Sequence, residues 1–324
     1  MKQTEKCSRI VLGLAIGLLS SGTVLAADEV QNTPAENLDK PGSFDLSIGT
    51  ELMSGDTTYS IGFPVALADG SNINGYFPFS ELEWPLDIWL ARLDAGLDVG
   101  SSWRINGVIK TNISDPDDNM IDQDWLAPGR LDIYSESNIS DFNALIWDLD
   151  VEWAFLQRQS WNLFAGLGYQ YQKFEYDAQL IQQYSPSGLF PGANVSGDGR
   201  VGITYDMTYT MPYALIGTDF QITPNFSMAG SFSYSPWVNA EDEDHHLLRN
   251  RVTKGDMDGD AVMVDVSGTY DFLSSWFLKG GFHYTKIDVD GDQNQWIDGV
   301  PIATVREESK SKQTSGYLNI GYRF

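Results

Sequence analysis

Two adjacent histidines, His245 and His246, follow an acidic run that contains Asp242 and Asp244. Histidine can accept a proton near neutral pH, and a neighbouring carboxylate can orient its ring and stabilise its charged form. Asp244 and His246 lie two positions apart, so an extended backbone places both side chains on one face. The spacing predicts an Asp–His pair able to deprotonate a water molecule, although a solvated acidic loop would have the same composition.

A second acidic pair, Asp122 and Asp124, lies in a polar stretch that ends at Trp125. Its members are again two positions apart and would share a face of an extended segment. Paired carboxylates can share one proton or hold a water molecule between them. An ordinary acidic loop is the alternative interpretation of this spacing, because an isolated Asp-x-Asp is common in loops.

The charge balance of the chain restricts its partners. The 324 residues include 20 Lys and Arg against 45 Asp and Glu, which gives a net charge of −25. Such a surface repels the phosphates of nucleic acids, so nucleic-acid binding is excluded as a function. Cationic peptides and proteins are favoured instead.

The N-terminus has the features of an export signal. Residues 1–26 combine a basic start, an apolar run and a small-residue cleavage site, and are predicted to be a signal peptide. Residues 27–42 are polar and are predicted to form a flexible tail. The single cysteine, Cys7, lies within the signal, so the exported chain would have neither a disulfide nor a cysteine metal ligand.

Residues 43–324 are predicted to form one all-β domain. After the signal no apolar run is long enough for a transmembrane helix, whereas apolar and polar residues alternate almost everywhere, as in the final strand that ends at Phe324. Short and long connections also alternate, which is typical of outer-membrane barrels with short periplasmic turns and long extracellular loops. The pattern predicts a ten-stranded antiparallel transmembrane β-barrel; a soluble secreted β-sandwich is the rival. Short turns are predicted at 99–102, 157–160, 223–225 and 274–276, and long loops at 66–76, 114–142, 180–200, 241–260 and 288–310.

A ten-stranded barrel has a narrow lumen, which we expect polar side chains to fill. This makes a diffusion porin a poor interpretation, since porins need 16 to 18 strands. Many strands are longer than a bilayer crossing requires and should project beyond the lipid. The loops that carry Asp122 and His246 follow strands four apart, so the two candidate pairs should face each other across the barrel mouth.

Several motifs resemble those of the omptin family of outer-membrane endopeptidases. The residues 120–125, Met-Ile-Asp-Gln-Asp-Trp, resemble the family's Met-Val-Asp-Gln-Asp-Trp. Residues 234–238 and 242–246 resemble its Tyr-Ser-Gly-Trp-Val and Asp-x-Asp-x-His, and residues 80–84 resemble its Ser-Gln-Leu-Asp-Trp. The resemblance covers nearly the whole exported chain. It implies a ten-stranded barrel with an active site in a groove at the extracellular mouth, and an aspartic-type endopeptidase.

The resemblance also implies a role for each acidic and basic group. Asp244 would orient His246 and balance its charge, and His246 would be the general base that deprotonates water. Asp122 would hold that water from the opposite wall, supported by Asp124. Asp242 corresponds to an acid that binds a basic side chain of the substrate, so basic or unfolded polypeptides are the expected substrates.

Three positions depart from the family pattern. Tyr59 stands where the family has a second substrate-binding glutamate, so strict cleavage between basic residues does not follow. Lys173 matches a lipopolysaccharide-binding base, but Thr208 stands where another is an arginine. Lipopolysaccharide is therefore expected as a partner and activator, with one of these two bases present. His245 replaces an acidic residue beside the catalytic histidine position.

Weaker signals leave alternatives open. Aspartates cluster at residues 256–260 and 288–294 and resemble parts of calcium loops, although a solvated surface explains them better. His283 lies in a strand and is expected to be a wall residue. No resident metal or other cofactor is expected, and the chain is expected to be a monomer in the outer membrane. A non-catalytic barrel that acts in adhesion or envelope integrity is the alternative function.

Overall fold

The computed structural model describes residues 43–324, which are mostly β-strand. The predicted signal peptide, residues 1–26, and the predicted tail, residues 27–42, lie outside the described residues. Within the described part, no helix is long and apolar enough to cross a membrane. The strands, in chain order, are β1 (Phe44–Leu67), β2 (Asn72–Ile73), β3 (Ser80–Pro85), β4 (Ile88–Val99), β5 (Trp103–Asn112), β6 (Met120–Asp124), β7 (Ile133–Gln157), β8 (Trp161–Tyr184), β9 (Val195–Ser196), β10 (Val201–Thr223), β11 (Phe226–His246), β12 (Arg251–Asp271), β13 (Trp276–Ile297) and β14 (Val300–Arg323). Two 3₁₀ turns lie at Pro191–Ala193 and Leu247–Arg249.

The strands form a closed antiparallel ring. The first part of β1, Phe44–Met53, pairs with β4, and its later residues Asp56–Ile61 pair with β3. β3 and β4 therefore act as one interrupted barrel strand. β6 continues β5 in the same way, because both pair with β7. The ring closes where β1 pairs with β14, from Asp45 opposite Arg323 to Leu67 opposite Ala303. The predicted all-β antiparallel barrel is therefore confirmed, with about ten strands in the ring when each interrupted strand is counted once.

An apolar belt surrounds the half of the barrel near the four short turns. Its side chains point outward and are exposed, for example Ile48 at 63%, Leu167 at 71% and Leu318 at 61%. A continuous apolar outer face of this extent would be unfavourable in water and is the face that an outer-membrane barrel presents to lipid. This half therefore spans the membrane.

The other half projects beyond the apolar belt. β1 contains 24 residues, about 80 Å of extended chain, whereas roughly 9–11 residues of a tilted strand cross a bilayer. The outer face of this projecting half is polar; Asp256, Asp258 and Asp260, for example, are exposed there. The half that carries the long connections is extracellular in such barrels.

Two of the predicted long loops are wrong. Residues 241–260 are mostly strand, since β11 continues to His246 and β12 begins at Arg251. Residues 288–310 are also strand, apart from a tight turn at Asp298 and Gly299. Outside the membrane the outer face of a strand meets water and carries acids, so the outward-facing apolar residues on which the prediction depended are absent there. The four short turns agree with the strand ends, and residues 133–142 of the second loop belong to β7.

The lumen is filled in two layers. In the membrane-spanning half the buried carboxylate of Glu51 pairs with Arg92 at 2.6 Å and with Lys110 at 2.9 Å. Above this level, apolar and aromatic side chains form the core, including Trp84 stacked on Tyr205 with ring centroids 4.7 Å apart. The expected filling by polar side chains is incomplete, because the lower part keeps a cavity of about 500 Å³ whose walls include Arg92, Asp94 and Asp148.

Candidate active site

The upper end of β11 carries the predicted Asp–His pair on its inner face. Asp242, Asp244 and His246 alternate along the strand and are all buried. Glu243 and His245 point to the outer face, where His245 Nε2 lies 2.6 Å from Glu243 Oε1. The strand periodicity thus separates the two histidines and directs only His246 inward.

Asp244 contacts both His246 and Tyr59. His246 Nε2 lies 3.2 Å from Asp244 Oδ2, and the hydroxyl of Tyr59 donates to the same oxygen at 2.5 Å. Burial alone would raise the pKa of Asp244, but the charge and hydrogen bond of His246 and the hydroxyl of Tyr59 hold this pKa below its usual value. The structure therefore favours a carboxylate beside His246.

The second ring nitrogen of His246 also has a hydrogen-bond partner. Nη2 of Arg249, which ends the 3₁₀ turn after β11, lies 2.6 Å from Nδ1. A guanidinium group can only donate, so Nδ1 accepts and the ring proton of neutral His246 lies on Nε2, toward Asp244. Asp244 thus binds one edge of the ring and Arg249 binds the other.

Asp122 and Asp124 lie on the short strand β6, which is held between β3 and β7. Burial raises the pKa of Asp122 well above its usual range, and the charges of Asp124 and Asp244 add to this. Burial also raises the pKa of Asp124, opposed by the hydroxyl of Ser80. This environment favours a proton on the pair.

One cavity of about 90 Å³ connects the two pairs. Asp122, Asp124, Asp244 and His246 all line it, together with Tyr59. A buried water needs roughly 10–15 Å³ and several polar partners, so the cavity has room and partners for several waters. The structure therefore brings together the four residues predicted to be catalytic.

Asp242, predicted to bind a basic substrate side chain, occupies a different environment. It is buried, accepts a hydrogen bond of 2.8 Å from the backbone N–H of Gly255, and accepts one of 3.2 Å from the hydroxyl of Tyr205. The ring of Tyr59 stacks on Tyr205 with centroids 5.2 Å apart. Asp242 does not line the 90 Å³ cavity, whereas Tyr59 does.

The sequence reasoning missed Glu307, a fully buried residue of β14 beside Asp242. A Cβ added to Gly255 would contact carboxyl oxygens of both residues, which places the two acids side by side. Burial raises the pKa of Glu307 well above its usual range, and the charge of Asp242 raises it further. Burial raises the pKa of Asp242 to about 7, against the hydrogen bond from Glu307. Burial and the mutual repulsion of the two carboxyls therefore favour a proton on this pair.

Arg251 and Thr253 were also missed. Both lie on β12 and line the 90 Å³ cavity. In the ladder Arg251 pairs with His246 and Thr253 with Asp244. Cross-strand partners lie side by side. A short connection between β11 and β12, recognised from the sequence, would therefore have predicted that these two residues lie beside the Asp–His pair.

The predicted lipopolysaccharide residue, Lys173, lies on β8 in the projecting half of the barrel. Its ammonium group pairs with Glu175, and its cross-strand partner on β10 is Thr208. A single base paired with an acid leaves no net positive charge at this position. The lipopolysaccharide contact therefore stays a prediction.

The aspartates of the suggested calcium loops lie on strands instead. Asp258 of β12 faces Asp290 of β13 across the ladder, and the pairs two positions away on either side are also aspartates. Within residues 43–324 no three His, Cys, Asp or Glu side chains are arranged to hold a metal ion. His283 is a wall residue of β13, 3.6 Å from Asp265.

Comparison with known proteins identifies the family. The family model described as "Omptin family" matches residues 74–295, more than half of the chain. The chain belongs to the omptin family. This omptin is 24% identical over 265 residues to the plasminogen activator of Yersinia pestis, with 80% of each chain covered. It is also 24% identical to the outer membrane protease OmpP of Escherichia coli K12, over 68% of this chain and 69% of that protein.

A solved structure shows the same fold as this omptin. The crystal structure of the outer membrane protease OmpT from Escherichia coli superposes with a TM-score of 0.69 at 19% sequence identity. The alignment covers 87% of the omptin described here and 97% of OmpT. Together with family membership, this places the protein in the outer membrane as an integral β-barrel of a family that includes proteins named outer membrane proteases.

Proposed function

We propose that this omptin hydrolyses peptide bonds of polypeptides at the cell surface. The observation that carries the proposal is the single cavity lined by Asp122, Asp124, Asp244 and His246. Its lining combines an imidazole that can accept a proton with carboxyls that can hold water, which are the groups needed to attack an amide without a covalent intermediate. The name of the relative OmpP as an outer membrane protease supports the same reaction.

Each of the four residues has a role in this proposal. Asp244 orients His246 and stabilises its charged form, while His246 is the general base. Asp122, which burial keeps partly protonated, holds the attacking water from the other wall, and Asp124 shares its proton. In this mechanism all activating groups are side chains of the protein, and the class is an aspartic-type endopeptidase.

The preferred substrates are basic or unfolded polypeptides. A net charge of −25 concentrates cations near the barrel mouth. Asp242 can meet a basic side chain directly only when Tyr59 moves, because Tyr59 lines the cavity and Asp242 does not. We therefore propose that basic residues are favoured through long-range attraction more than through a preformed acidic pocket.

Lipopolysaccharide is the proposed lipid partner and activator. Lys173 supplies one cation to its phosphates, although Glu175 already pairs with that side chain. The barrel is proposed to act as a monomer, because a single chain supplies every residue of the cavity.

The test is cleavage of a mixed peptide library by the refolded barrel, with and without lipopolysaccharide. The variants His246→Ala and Asp122→Ala should lose cleavage by about 10²–10⁴-fold, the contribution of a general base. Lys254→Gln is the matched control, since Lys254 points outward from β12 to pair with Glu243. Cleavage that survives both substitutions, or no cleavage by a folded wild type, would refute the proposal and favour an adhesive or structural role.

A further inference from the structure

Two turns at the extracellular end of the barrel carry exposed apolar side chains. Leu247 and Leu248 lie in the 3₁₀ turn between β11 and β12, and Ile297 and Val300 flank the tight turn between β13 and β14. All four side chains are exposed. They lie in the projecting half of the barrel, so the lipid around the apolar belt does not cover them. These four residues form what is called the apolar rim below.

The first turn borders the cavity that holds the proposed catalytic residues. Leu247 and Leu248 separate His246 from Arg249 in the chain, and both His246 and Arg249 line that cavity. Since consecutive Cα atoms are about 3.8 Å apart, the Cα atom of Leu248 lies at most about 8 Å from that of His246. A polypeptide whose cleaved bond lies at His246 therefore passes close to Leu248.

The second turn borders the same cavity from the neighbouring strands. Ile297 pairs with Arg251, which lines the cavity, and with Val300. Paired residues point to the same face of a sheet, and their Cα atoms are about 4.5–5.5 Å apart. Ile297 and Val300 therefore lie on the inner side of the barrel mouth, beside the cavity wall that Arg251 forms.

Two hydrogen bonds join the two turns. The backbone N–H of Asp298 donates to the carbonyl oxygen of Asn250 at 3.0 Å, and the side-chain amide of Asn250 donates to the Asp298 carboxylate at 2.5 Å. Within residues 43–324 these are the only non-glycine residues with a positive φ, 47° for Asn250 and 51° for Asp298. Asn and Asp tolerate this left-handed conformation better than most residues. The paired turns thus fix the apolar rim in place before a ligand binds, which lowers the entropy cost of binding.

The position of the apolar rim identifies its occupant as the substrate. Single exposed apolar residues are common, whereas a contiguous patch among charged groups marks an interaction surface. Four partly exposed aliphatic side chains offer far less than the roughly 800 Å² per partner that a stable dimer buries, and the acyl chains of lipid surround the other half of the barrel. A polypeptide held in the cavity extends from it by about 3.3 Å per residue and reaches the patch directly.

We propose that the apolar rim is a second substrate-binding surface, which takes a bulky apolar side chain two to four residues from the cleaved bond. This inference rests on the proposed function, because it places the cleaved bond at His246. An extended chain covers the roughly 8 Å between His246 and Leu248 in two to three residues. The surface adds a preference that long-range charge does not supply, since it distinguishes among basic or unfolded polypeptides by an apolar residue near the cleaved bond.

The first experiment compares two peptides in cleavage by the refolded barrel with lipopolysaccharide. The peptides share a basic residue at the cleaved bond and differ only in Leu or Asn, side chains of similar size, placed two, three or four residues from that bond on either side. Partial burial of one aliphatic side chain corresponds to about 3- to 10-fold in affinity. At one or more positions the Leu peptide should therefore have a KM lower by this factor, with kcat nearly unchanged.

Variants of the apolar rim show whether this preference depends on it. Leu248→Asn and Val300→Thr keep the size of the side chain and make it polar. Each should reduce the preference for Leu over Asn by about 2- to 5-fold and leave cleavage of the Asn peptide unchanged. Leu273→Asn is the matched control, because Leu273 is 60% exposed against 59% for Leu248 but lies in the short turn between β12 and β13. It should keep wild-type kinetics.

Binding of the labelled peptides to His246→Ala gives a readout that needs no cleavage. Fluorescence anisotropy should give a lower Kd for the Leu peptide, and Leu248→Asn, added to His246→Ala, should reduce the difference. Heat-modifiable electrophoretic mobility shows which variants fold. Should Leu248→Asn fail to fold, Val300→Thr carries the test.

Three results would overturn the inference about the apolar rim alone. They are equal KM and Kd for the Leu and Asn peptides at every position, an equal loss on both peptides in Leu248→Asn and Val300→Thr, and a change confined to the oligomeric state of these variants in sedimentation, which would identify a second copy as the occupant. A wild type that cleaves no peptide would refute the proposed function instead. The Kd comparison would then decide whether the apolar rim binds polypeptide.

Discussion

Nη2 of Arg249 lies 2.6 Å from Nδ1 of His246, on the ring edge opposite Asp244. Because Nε2 already contacts Asp244, no ring nitrogen of His246 is free to accept a proton from water. A general base needs that free electron pair. In the proposed mechanism this arrangement is a resting state, which ends when the exposed side chain of Arg249 withdraws.

Replacing Arg249 with Ala should increase the rate. The substitution releases Nδ1 from a hydrogen bond worth about 1 kcal/mol, which corresponds to roughly fivefold in kcat. The measurement is steady-state cleavage of the same peptides. Arg200→Ala is the control, because Arg200 is an exposed loop residue that pairs with Asp198. A fall in kcat would show that Arg249 contributes to catalysis.

Replacing Tyr59 with Phe should shift the acidic limb of the pH–rate profile upward. Asp244 would lose the hydroxyl that helps to keep its pKa low, and a hydrogen bond to a charged group is worth about 1.5–3 kcal/mol. That corresponds to a shift of about one to two pH units. Below its pKa Asp244 is protonated and no longer supports charged His246, so activity should be lost at higher pH than in wild type.

The control for Tyr59→Phe is Tyr209→Phe. Tyr209 is a buried tyrosine whose hydroxyl lies 3.2 Å from that of Ser309, not from a carboxylate of the cavity. Its pH–rate profile should match that of wild type. An acidic limb that does not move in Tyr59→Phe would contradict the assigned role of the hydroxyl.

Replacing Glu307 with Gln should make the stability of the barrel fall less than that of wild type as the pH rises. Burial raises the pKa of Asp242 to about 7 and that of Glu307 well above its usual range. The folded state then binds protons that the unfolded chain releases, so stability falls as pH rises from the ordinary carboxyl range through these raised values. A glutamine can keep the hydrogen bond that Gln293 donates and can lie beside Asp242 without titrating.

The heat-modification midpoint, measured from about pH 6 to about pH 9, tests the prediction for Glu307. It should fall in wild type and fall less in Glu307→Gln. Glu308→Gln, a substitution on the outer face beside Arg306, is the control and should follow wild type. Parallel curves for all three proteins would mean that Glu307 does not titrate in this range.

Replacing Asp258 with Asn should stabilise the barrel at low ionic strength. Asp258 faces Asp290 directly, and like charges in opposed strand positions cost about 0.2–1 kcal/mol. Salt screens exposed charges, so the gain should shrink near 1 M salt, where the Debye length is about 3 Å. Asp117→Asn, in the exposed loop before β6, removes a charge without a facing aspartate. An equal gain in stability for Asp117→Asn would show that the change in net charge causes the effect and that the Asp258–Asp290 pair does not.

The membrane-spanning half of the barrel could be predicted from the sequence because its residues alternate between apolar side chains that face lipid and polar side chains that face the lumen. Leu318, Ile320 and Phe324 alternate with polar residues in β14, and the structure exposes all three. In the projecting half, alternation continues between inward small or apolar residues and outward acids, as in Gly255 to Asp258. Apolar periodicity alone could not detect this, so two strand pairs were predicted as loops.

The four proposed catalytic residues were found because each pair lies two positions apart in the chain. Arg251 and Glu307 could not be found that way, since each meets the site only through pairing with another strand. Arg251 reaches it through the β11–β12 ladder, and Glu307 reaches Asp242 across the barrel interior. When strand pairing brings a side chain to the site, the neighbouring sequence does not reveal its position. Its role therefore follows only from the folded barrel.

The two-layered filling of the lumen determines where cleaved fragments go. The aromatic core around Trp84 and Tyr205 and the buried Glu51–Arg92 pair close the passage between the cavity and the periplasm. Fragments must therefore diffuse back into the medium by the opening through which the substrate entered. A barrel closed in this way can host the proposed reaction on its outer side without opening a route through the membrane.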